Sequence, residues 1–476
     1  MQIEQMYTGC LAHGAYYITS NGEAAIVDPL REVQPYLDRL ERDAVTLKYI
    51  FETHFHADFV SGHIDLALKT GATIVYGPTT MQTGFDMHVG ADNEIFHLGQ
   101  SQIKLIHTPG HTMESACYLL TDEHGNERGL LTGDTLFIGD VGRPDLAQHV
   151  IAELTEQKLA AHLFESLRNK IMPLSDLLIL YPNHGAGSAC GKNMSKETTD
   201  TLGHQKQVNY ALDPALTKEE FITAVLSGLT PPPGYFPQNV LMNINGYQRF
   251  DEVMSQGMKA LSVAEFEATV NDMEALVLDT RDQAIFCKGF IPQSINIGLV
   301  GDFAPWVGAM IVDVKQPIVL ITEEGKTDET ITRLSRVGFD RILGHLKGGY
   351  AAWVEAGKEI DVVHRITADQ FANEFRLEKS KVIDIRKESE YAAQHLESAT
   401  CRPLSYINDW IKDLHPEEHV YIHCAGGYRS MIAASILQSR GYRNFTEIEG
   451  GFSAIALTSL PTSDIVCQSK ALKKNI

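Results

Sequence analysis

The sequence predicts an α/β protein of several domains, and three observations carry that reading. The chain has 476 residues, too many for one ordinary hydrophobic core, so two to four domains are expected. Its first half alternates short β-rich runs with turn signals. Its second half contains a repeated strand–helix unit of roughly 110 residues, as small parallel-sheet domains do.

In the first half, Ala24 to Val27, Tyr49 to Glu52, Thr73 to Tyr76, Ile103 to His107 and Leu178 to Tyr181 each read as a strand running into a polar or glycine-rich loop. The cluster Pro231-Pro232-Pro233-Gly-Tyr-Phe-Pro237 cannot continue helix or sheet and is expected to mark a linker. The first boundary is therefore expected at 235–255. Beyond it the repeat is visible residue by residue. Ser262-Val-Ala-Glu-Phe266 and Thr367-Ala-Asp-Gln-Phe371 are capped helix starts, and Val277-Leu-Asp-Thr-Arg281 and Ile383-Asp384-Ile-Arg386 are buried strands ending in Asp-x-Arg. Val319-Leu-Ile-Thr322 matches Val420-Tyr-Ile-His423, and Gly348-Gly-Tyr-Ala-Ala-Trp353 matches Gly450-Gly-Phe-Ser-Ala454. The expected domains are 1–245, 255–360 and 362–476.

Composition excludes some functions. The net charge of −21 disfavours nucleic acid and anionic membranes, and no basic stripe offsets it. No run of 18 apolar residues exists, and Met1 to Gly9 lacks the basic and apolar regions of a secretory signal, so a cytoplasmic protein is expected. Seven cysteines, at 10, 117, 190, 287, 401, 424 and 467, show no paired spacing, which points to a reducing compartment without a disulfide framework. Most read as small buried hydrophobes; Cys424 stands apart, with Cys190 a second candidate.

Two stretches carry chemistry. In Thr53-His-Phe-His-Ala-Asp-Phe59, His54 and His56 alternate along an extended segment and can face one pocket. His111 follows Pro109-Gly110, Asp134 follows Gly133, and His184 follows Tyr181-Pro-Asn183. Each sits just past a strand end, where α/β folds place their sites, so together they read as a metal centre. The second stretch is His423-Cys-Ala-Gly-Gly-Tyr-Arg-Ser430. A strand, a glycine-bearing loop and a helix start make a nest of backbone N–H groups that favours a negative sulfur on Cys424. Ala425 is small, Gly426 and Gly427 give the loop its freedom, Tyr428 completes the cradle, and Arg429 adds a fixed cation at its end.

The first stretch resembles the metallo-β-lactamase superfamily, whose signature is His-x-His-x-Asp-His with later His, Asp and His; the resemblance covers about residues 1–240. It implies an αββα sandwich. The last His of the signature is Phe59 here, and a phenyl ring cannot ligate, which points away from two-metal hydrolysis. Within the superfamily the chain looks most like the persulfide dioxygenases. That likeness implies one Fe(II) per chain on His54, His111 and Asp134, a two-His, one-carboxylate set with open positions, zinc being a substitute. His56, Asp58 and His184 then orient ligands or water. Arg143, in Gly142-Arg-Pro-Asp-Leu146, is either a structural ion pair or a holder of anionic substrate, and Cys190, after His184, is either an inert thiol or a group near the metal.

The second stretch resembles the rhodanese sulfurtransferases, whose loop is Cys, four residues, Arg; the likeness covers about residues 362–460. Arg386 reads as structural. In the first repeat Glu323 stands opposite Cys424 and Asp328 opposite Arg429, so residues 255–360 read as an inactive rhodanese-like domain used for packing or assembly, with Trp306 and Trp353 in its apolar interior. The order of domains is similar to persulfide dioxygenase–rhodanese fusions. It implies oxidation of a small persulfide by O₂ to sulfite, then thiosulfate formation from sulfite and persulfide sulfur in sulfide detoxification, by a homo-oligomer without nucleic-acid or membrane partners. Two alternatives stay open: a glyoxalase II-like zinc thioester hydrolase fused to a rhodanese, and a sulfur-carrier or sensor module with a vestigial metal site.

Overall fold

A computed structural model describes residues 1–146, 154–376 and 381–465. Cys467 and the end of the third expected domain lie outside them. The chain forms two compact units. The first comprises 1–253 with 311–314 and 332–340; the second comprises 254–310, 315–331 and 341–476.

The first unit holds two six-stranded sheets. One runs β1 (Gln2–Thr8), β2 (His13–Ser20), β3 (Glu23–Val27), β4 (Thr46–Phe51), β5 (Thr73–Tyr76) and β6 (His88–Val89) in sequence order, antiparallel to β3 and parallel beyond. The other contains β7 (Ile95–Leu98), β8 (Ser101–His107), β9 (Ala116–Thr121), β10 (Glu127–Gly133), β11 (Ile179–Pro182) and β12 (Asp200–Thr201), again in sequence order; only β10 and β11 are parallel. All five strands read from the first half of the sequence are present. Alternating side chains explain the layers. Tyr16, Ile18, Val27, Phe51 and Val75 face Phe96, Ile103, Leu105, Tyr118 and Leu131 to make the inner core between the sheets. The outer face of the first sheet packs against helices Gln34–Asp43 and Phe236–Asn245, and that of the second against helices Glu156–Ser166 and Lys218–Leu226. The result is a helix–sheet–sheet–helix sandwich.

The proline cluster behaves differently from a plain linker. Pro237 lies in the first turn of helix Phe236–Asn245, where its missing N–H costs nothing and its fixed φ suits a helix. Residues 332–340, from the first repeat, also fall in this unit. The Val60 amide donates to Arg336 O at 2.7 Å, and the fully buried Arg31 pairs with Asp65 at 2.8 Å and Asp340 at 3.2 Å. Packing was expected of that repeat, but not a bond to the segment that follows Phe59.

The second unit holds two five-stranded parallel sheets of one topology. The first is ordered β13 (Ala260–Leu261), β17 (Ile342–Leu346), β16 (Ile318–Ile321), β14 (Leu276–Asp279), β15 (Ile295–Asn296). The second is ordered β18 (Arg365–Thr367), β22 (Phe445–Glu449), β21 (Val420–His423), β19 (Lys381–Asp384), β20 (Ala399–Cys401). Ser262 and Thr367 cap their helices with reciprocal capping boxes, as the sequence predicts. Trp353 is buried in the core of the first repeat. In both repeats the Asp-x-Arg motif closes on itself: Arg281 binds Asp279 and Arg386 binds Asp384 through paired hydrogen bonds. That gives Arg386 the structural role expected of it.

Candidate metal centre and cysteine loop

Four strand ends meet in the first unit. His54 follows β4, His111 follows β8 through Thr108-Pro-Gly, Asp134 follows β10 directly, and His184 lies two residues past β11. His54, His111 and Asp134 are buried and present ligand atoms that all lie within 4.8 Å of one another. His111 Nε2 is 3.4 Å and His54 Nε2 4.0 Å from Asp134 Oδ2. Neither Asp134 oxygen has a hydrogen-bond partner, although both are buried. A buried carboxylate left without partners is costly, and a cation between it and the two imidazoles removes the cost. The residues therefore fit a metal ion.

The ligands are oriented from behind. His111 Nδ1 lies 2.8 Å from Arg143 O, which places the donor proton there and leaves Nε2 its lone pair. His54 Nδ1 is 3.0 Å from Thr53 Oγ1. Burial, reinforced by the neighbouring His56, His111 and His184, holds His54 well below the usual imidazole range and so neutral, as a ligand must be. At Gly142 a Cβ would sit 2.0 Å from Asp134 O and 2.9 Å from His111 Nδ1, so only glycine allows this approach.

His56 is turned away from the trio. Its Nε2 is 2.9 Å from Asp28 Oδ1 and 3.3 Å from Glu52 Oε2, while Nδ1 is buried without a partner. Burial opposes its charge, but the two carboxylates win and hold it well above the usual range. Burial likewise pushes Glu52 up to about 7. Phe59 is fully buried, its ring 4.3 Å from that of His13 and 4.4 Å from that of His56. Asp58, His184 and Cys190 make a second cluster within 4.8 Å, with His184 Nε2 3.4 Å from Asp58 Oδ2 and 3.6 Å from Asp134 Oδ1. Burial pushes the Asp58 carboxyl and the Cys190 thiol up. Arg143 is 4% exposed, bound twice to Asp145 at 2.6 Å and once each to Ala189 O and Thr230 O. Of its two expected roles, this geometry matches the structural ion pair.

Sequence reading missed the groups that hold the motif in place. Asp28 accepts from Thr53 N, Thr53 Oγ1, His56 and Asn183. Asn243 donates to His56 O and Phe59 O and accepts from Ser61 N, and Glu114 accepts from Phe55 N. Asp28 carries the one usable signal, since it follows strand β3 as the ligands follow theirs.

In the second unit, Cys424 lies just past β21 and 1% exposed, ahead of helix Tyr428–Ser439. Gly427 N donates to its sulfur at 3.1 Å, and Ser430 Oγ is 3.4 Å away. Gly427 reaches this position with φ of 110°, open to glycine and strained for other residues. No heavy atom lies within 4 Å of a Cβ built on Gly426, so that side of the loop is open, and Ala425 packs behind it against Gly451. Tyr428 OH donates to Gly298 O of the first repeat at 2.8 Å. Arg429, expected as a fixed cation, is held bidentate to Glu390, at 2.6 and 2.8 Å, so its charge arrives with a counter-charge. In the first repeat Glu323 stands past β16, and Oε1 accepts from Asp282 N at 3.4 Å. The six described cysteines are free.

Comparison with known proteins agrees with this architecture. Residues 8–173 match the model of the metallo-beta-lactamase superfamily, and residues 262–356 and 367–458 each match that of the rhodanese-like domain. A Schizosaccharomyces pombe protein named "probable hydroxyacylglutathione hydrolase" is 31% identical over 205 residues, 42% of this chain and 74% of its own. Further curated hydroxyacylglutathione hydrolases match over 39% to 66% of their lengths. A crystal structure of a metallo-beta-lactamase from Staphylococcus aureus is 31% identical, covering 73% of this chain and 99% of that one with a TM-score of 0.66. The structure of ETHE1 from Myxococcus xanthus is 26% identical, covering 51% and 98%, with a TM-score of 0.43. No helix among the described residues is long and apolar enough to cross a membrane.

Proposed function

The chain belongs to the metallo-β-lactamase superfamily and carries two rhodanese-like domains, and from that premise we propose that it is a persulfide dioxygenase with sulfurtransferase activity. One observation carries the reading. Phe59, buried against His13 and His56, occupies the place of the signature's last His and denies a second metal that ligand. His54, His111 and Asp134 would hold one Fe(II), which supplies O₂ activation when bound.

The protein's own contribution is orientation and exclusion. Arg143 O fixes the tautomer of His111, Thr53 steadies His54, and the burial of all three ligands keeps bulk water out. With that ion bound, the site would let O₂ and one water molecule convert a persulfide to sulfite and the parent thiol. At the second centre Cys424 attacks the outer sulfur of another persulfide, and the Gly427 amide stabilises negative charge on its sulfur. Sulfite then takes that sulfur to give thiosulfate. Housing both centres in one chain raises sulfite concentration near Cys424. The inactive repeat contributes Gly298 O to position Tyr428. The test is oxygen uptake by the iron-loaded chain with small persulfides, with sulfite and thiosulfate assayed as products.

A second reading has its own support. Asp58, His184 and Cys190 lie together beside Asp134, a donor set that suits a further soft divalent ion, and the curated relatives are named hydroxyacylglutathione hydrolases. A zinc-loaded chain that hydrolyses hydroxyacylglutathione thioesters and consumes no oxygen would establish that alternative.

A further inference from the structure

Behind the cysteine loop lies a buried chain of hydrogen bonds that the sulfur-transfer reading does not use. Ser430 Oγ, 3.4 Å from Cys424 Sγ, donates to Glu447 Oε1 at 2.5 Å. Glu447 is fully buried on β22, and its other oxygen accepts from Arg365 Nε at 2.6 Å. Arg365 is its opposite number on β18, the neighbouring strand. A carboxylate with no solvent exposure, set one hydroxyl away from a nucleophilic thiol, is expensive to bury. Its single cation leaves one oxygen directed at Ser430.

Ser430 has one proton, and its shortest contact gives that proton to Glu447 rather than to Gly427 O at 3.1 Å. Its lone pairs then face Cys424, where they can accept the thiol S–H. Thiol, hydroxyl and carboxylate thus form a directed path for one proton. We propose that Glu447, working through Ser430, takes up and holds the Cys424 thiol proton while sulfur is loaded, so that the nucleophile forms without exchanging a proton with solvent. The proposal rests on the reading of Cys424 as the sulfur carrier.

The loading step balances within the site. The Cys424 proton passes to Ser430 Oγ as the Ser430 proton passes to Glu447. The Cys424 sulfur bonds to the outer sulfur of an organic persulfide, the donor's S–S bond breaks, and its electron pair leaves on a thiolate that is protonated from solvent. On unloading, sulfite bonds to that outer sulfur, Cys424 departs as thiolate, and the stored proton returns along the same path. One negative charge moves from Glu447 to Cys424 and back. Ser430 touches the reacting atom and is catalytic; Glu447 is a positioning residue.

The surroundings are compatible with a group that changes protonation. Burial raises Glu447 above the usual carboxylate range, with Arg365 opposing and Glu449 adding to the rise. Arg365 also contacts Cys287 Sγ at 3.5 Å and Glu449 at 3.9 Å. The other charged groups near Cys424, Arg429 and Asp384, are paired with Glu390 and Arg386. The buried His423 is held below the usual imidazole range by burial and stays neutral.

The test is the rate of Cys424 alkylation by a small haloacetamide in the full chain, followed by peptide mass spectrometry from pH 6 to 8.5. With internal proton transfer the rate is nearly flat, changing by less than about threefold between the two titrations of the coupled pair. Glu447→Gln keeps an acceptor for Ser430 but cannot hold the proton, so its rate should rise about tenfold per pH unit, as for a thiol that ionises to solvent. Ser430→Ala leaves the Glu447–Arg365 pair intact and should show the same slope, which keeps the test open if the first variant fails to fold. The double variant should match either single one. Parallel pH profiles for the unsubstituted chain and both variants would overturn the proposal. Absence of sulfur transfer from any persulfide would overturn the sulfurtransferase reading separately, because alkylation needs no turnover.

Discussion

Replacing Phe59 by His puts the superfamily's missing ligand back and probes why this chain lacks it. Phe59 is fully buried between the rings of His13 and His56, at 4.3 and 4.4 Å. Full burial of a phenylalanine is worth roughly 1.5–3 kcal/mol, of which imidazole recovers only part. An imidazole nitrogen without a partner there adds about 1–3 kcal/mol. Metal-free Phe59→His should therefore be less stable than the parent by about 2–4 kcal/mol in urea unfolding. If the introduced imidazole joins Asp58 and His184 around a second ion, zinc at a hundredfold its dissociation constant should return about 2.7 kcal/mol. Metal content by emission spectroscopy should then rise from one to two ions per chain, while persulfide-dependent oxygen uptake falls. A variant that stays at one ion and regains no stability with zinc would refute the link between Phe59 and a single metal. So would an unsubstituted chain that already binds two ions tightly.

Asp134→Ala should abolish both iron content and oxygen uptake, since the two histidines then lose the carboxylate between them, with sulfur transfer from a persulfide to sulfite retained as the control. Cys424→Ser should keep persulfide-dependent oxygen uptake but release sulfite in place of thiosulfate; thiosulfate formed at the parent rate would sink the two-centre relay. Glu323→Cys in a Cys424→Ser background should not restore sulfur transfer, because Asp328 stands where the active repeat has Arg429.

The strands and the repeat were legible because they rest on local pattern, whereas the αββα sandwich followed from the resemblance carried by the His-x-His-x-Asp motif. Each ligand-bearing strand of the first unit was readable from its alternation and turn. The Asp279–Arg281 and Asp384–Arg386 pairs repeat a spacing that one sequence displays twice. That a metal centre is built from His54, His56, His111, Asp134 and His184 was readable because each sits near a strand end, most of them beside Gly or Pro; the choice of His54, His111 and Asp134 among them rests on the resemblance alone. What escaped were partners joined only through the folded chain: Asp28 under the His56 ring, Asn243 across the motif loop, Glu390 on Arg429 and Glu447 behind Ser430. None has a characteristic spacing from the residue it serves, and a lone Glu on a strand reads as a solvated face. The bond from Val60 to Arg336 was invisible for the same reason, being a backbone contact 276 positions apart. Deleting residues 255–360 removes a support of the motif loop, so iron binding is expected to weaken in such a chain.

The central claim is tested most directly in an oxygen electrode. The iron-loaded chain, given glutathione persulfide, should consume O₂ and yield sulfite and thiosulfate, while the same preparation leaves hydroxyacylglutathione intact. Thioester hydrolysis without oxygen uptake, by protein holding two metal ions per chain, would contradict it.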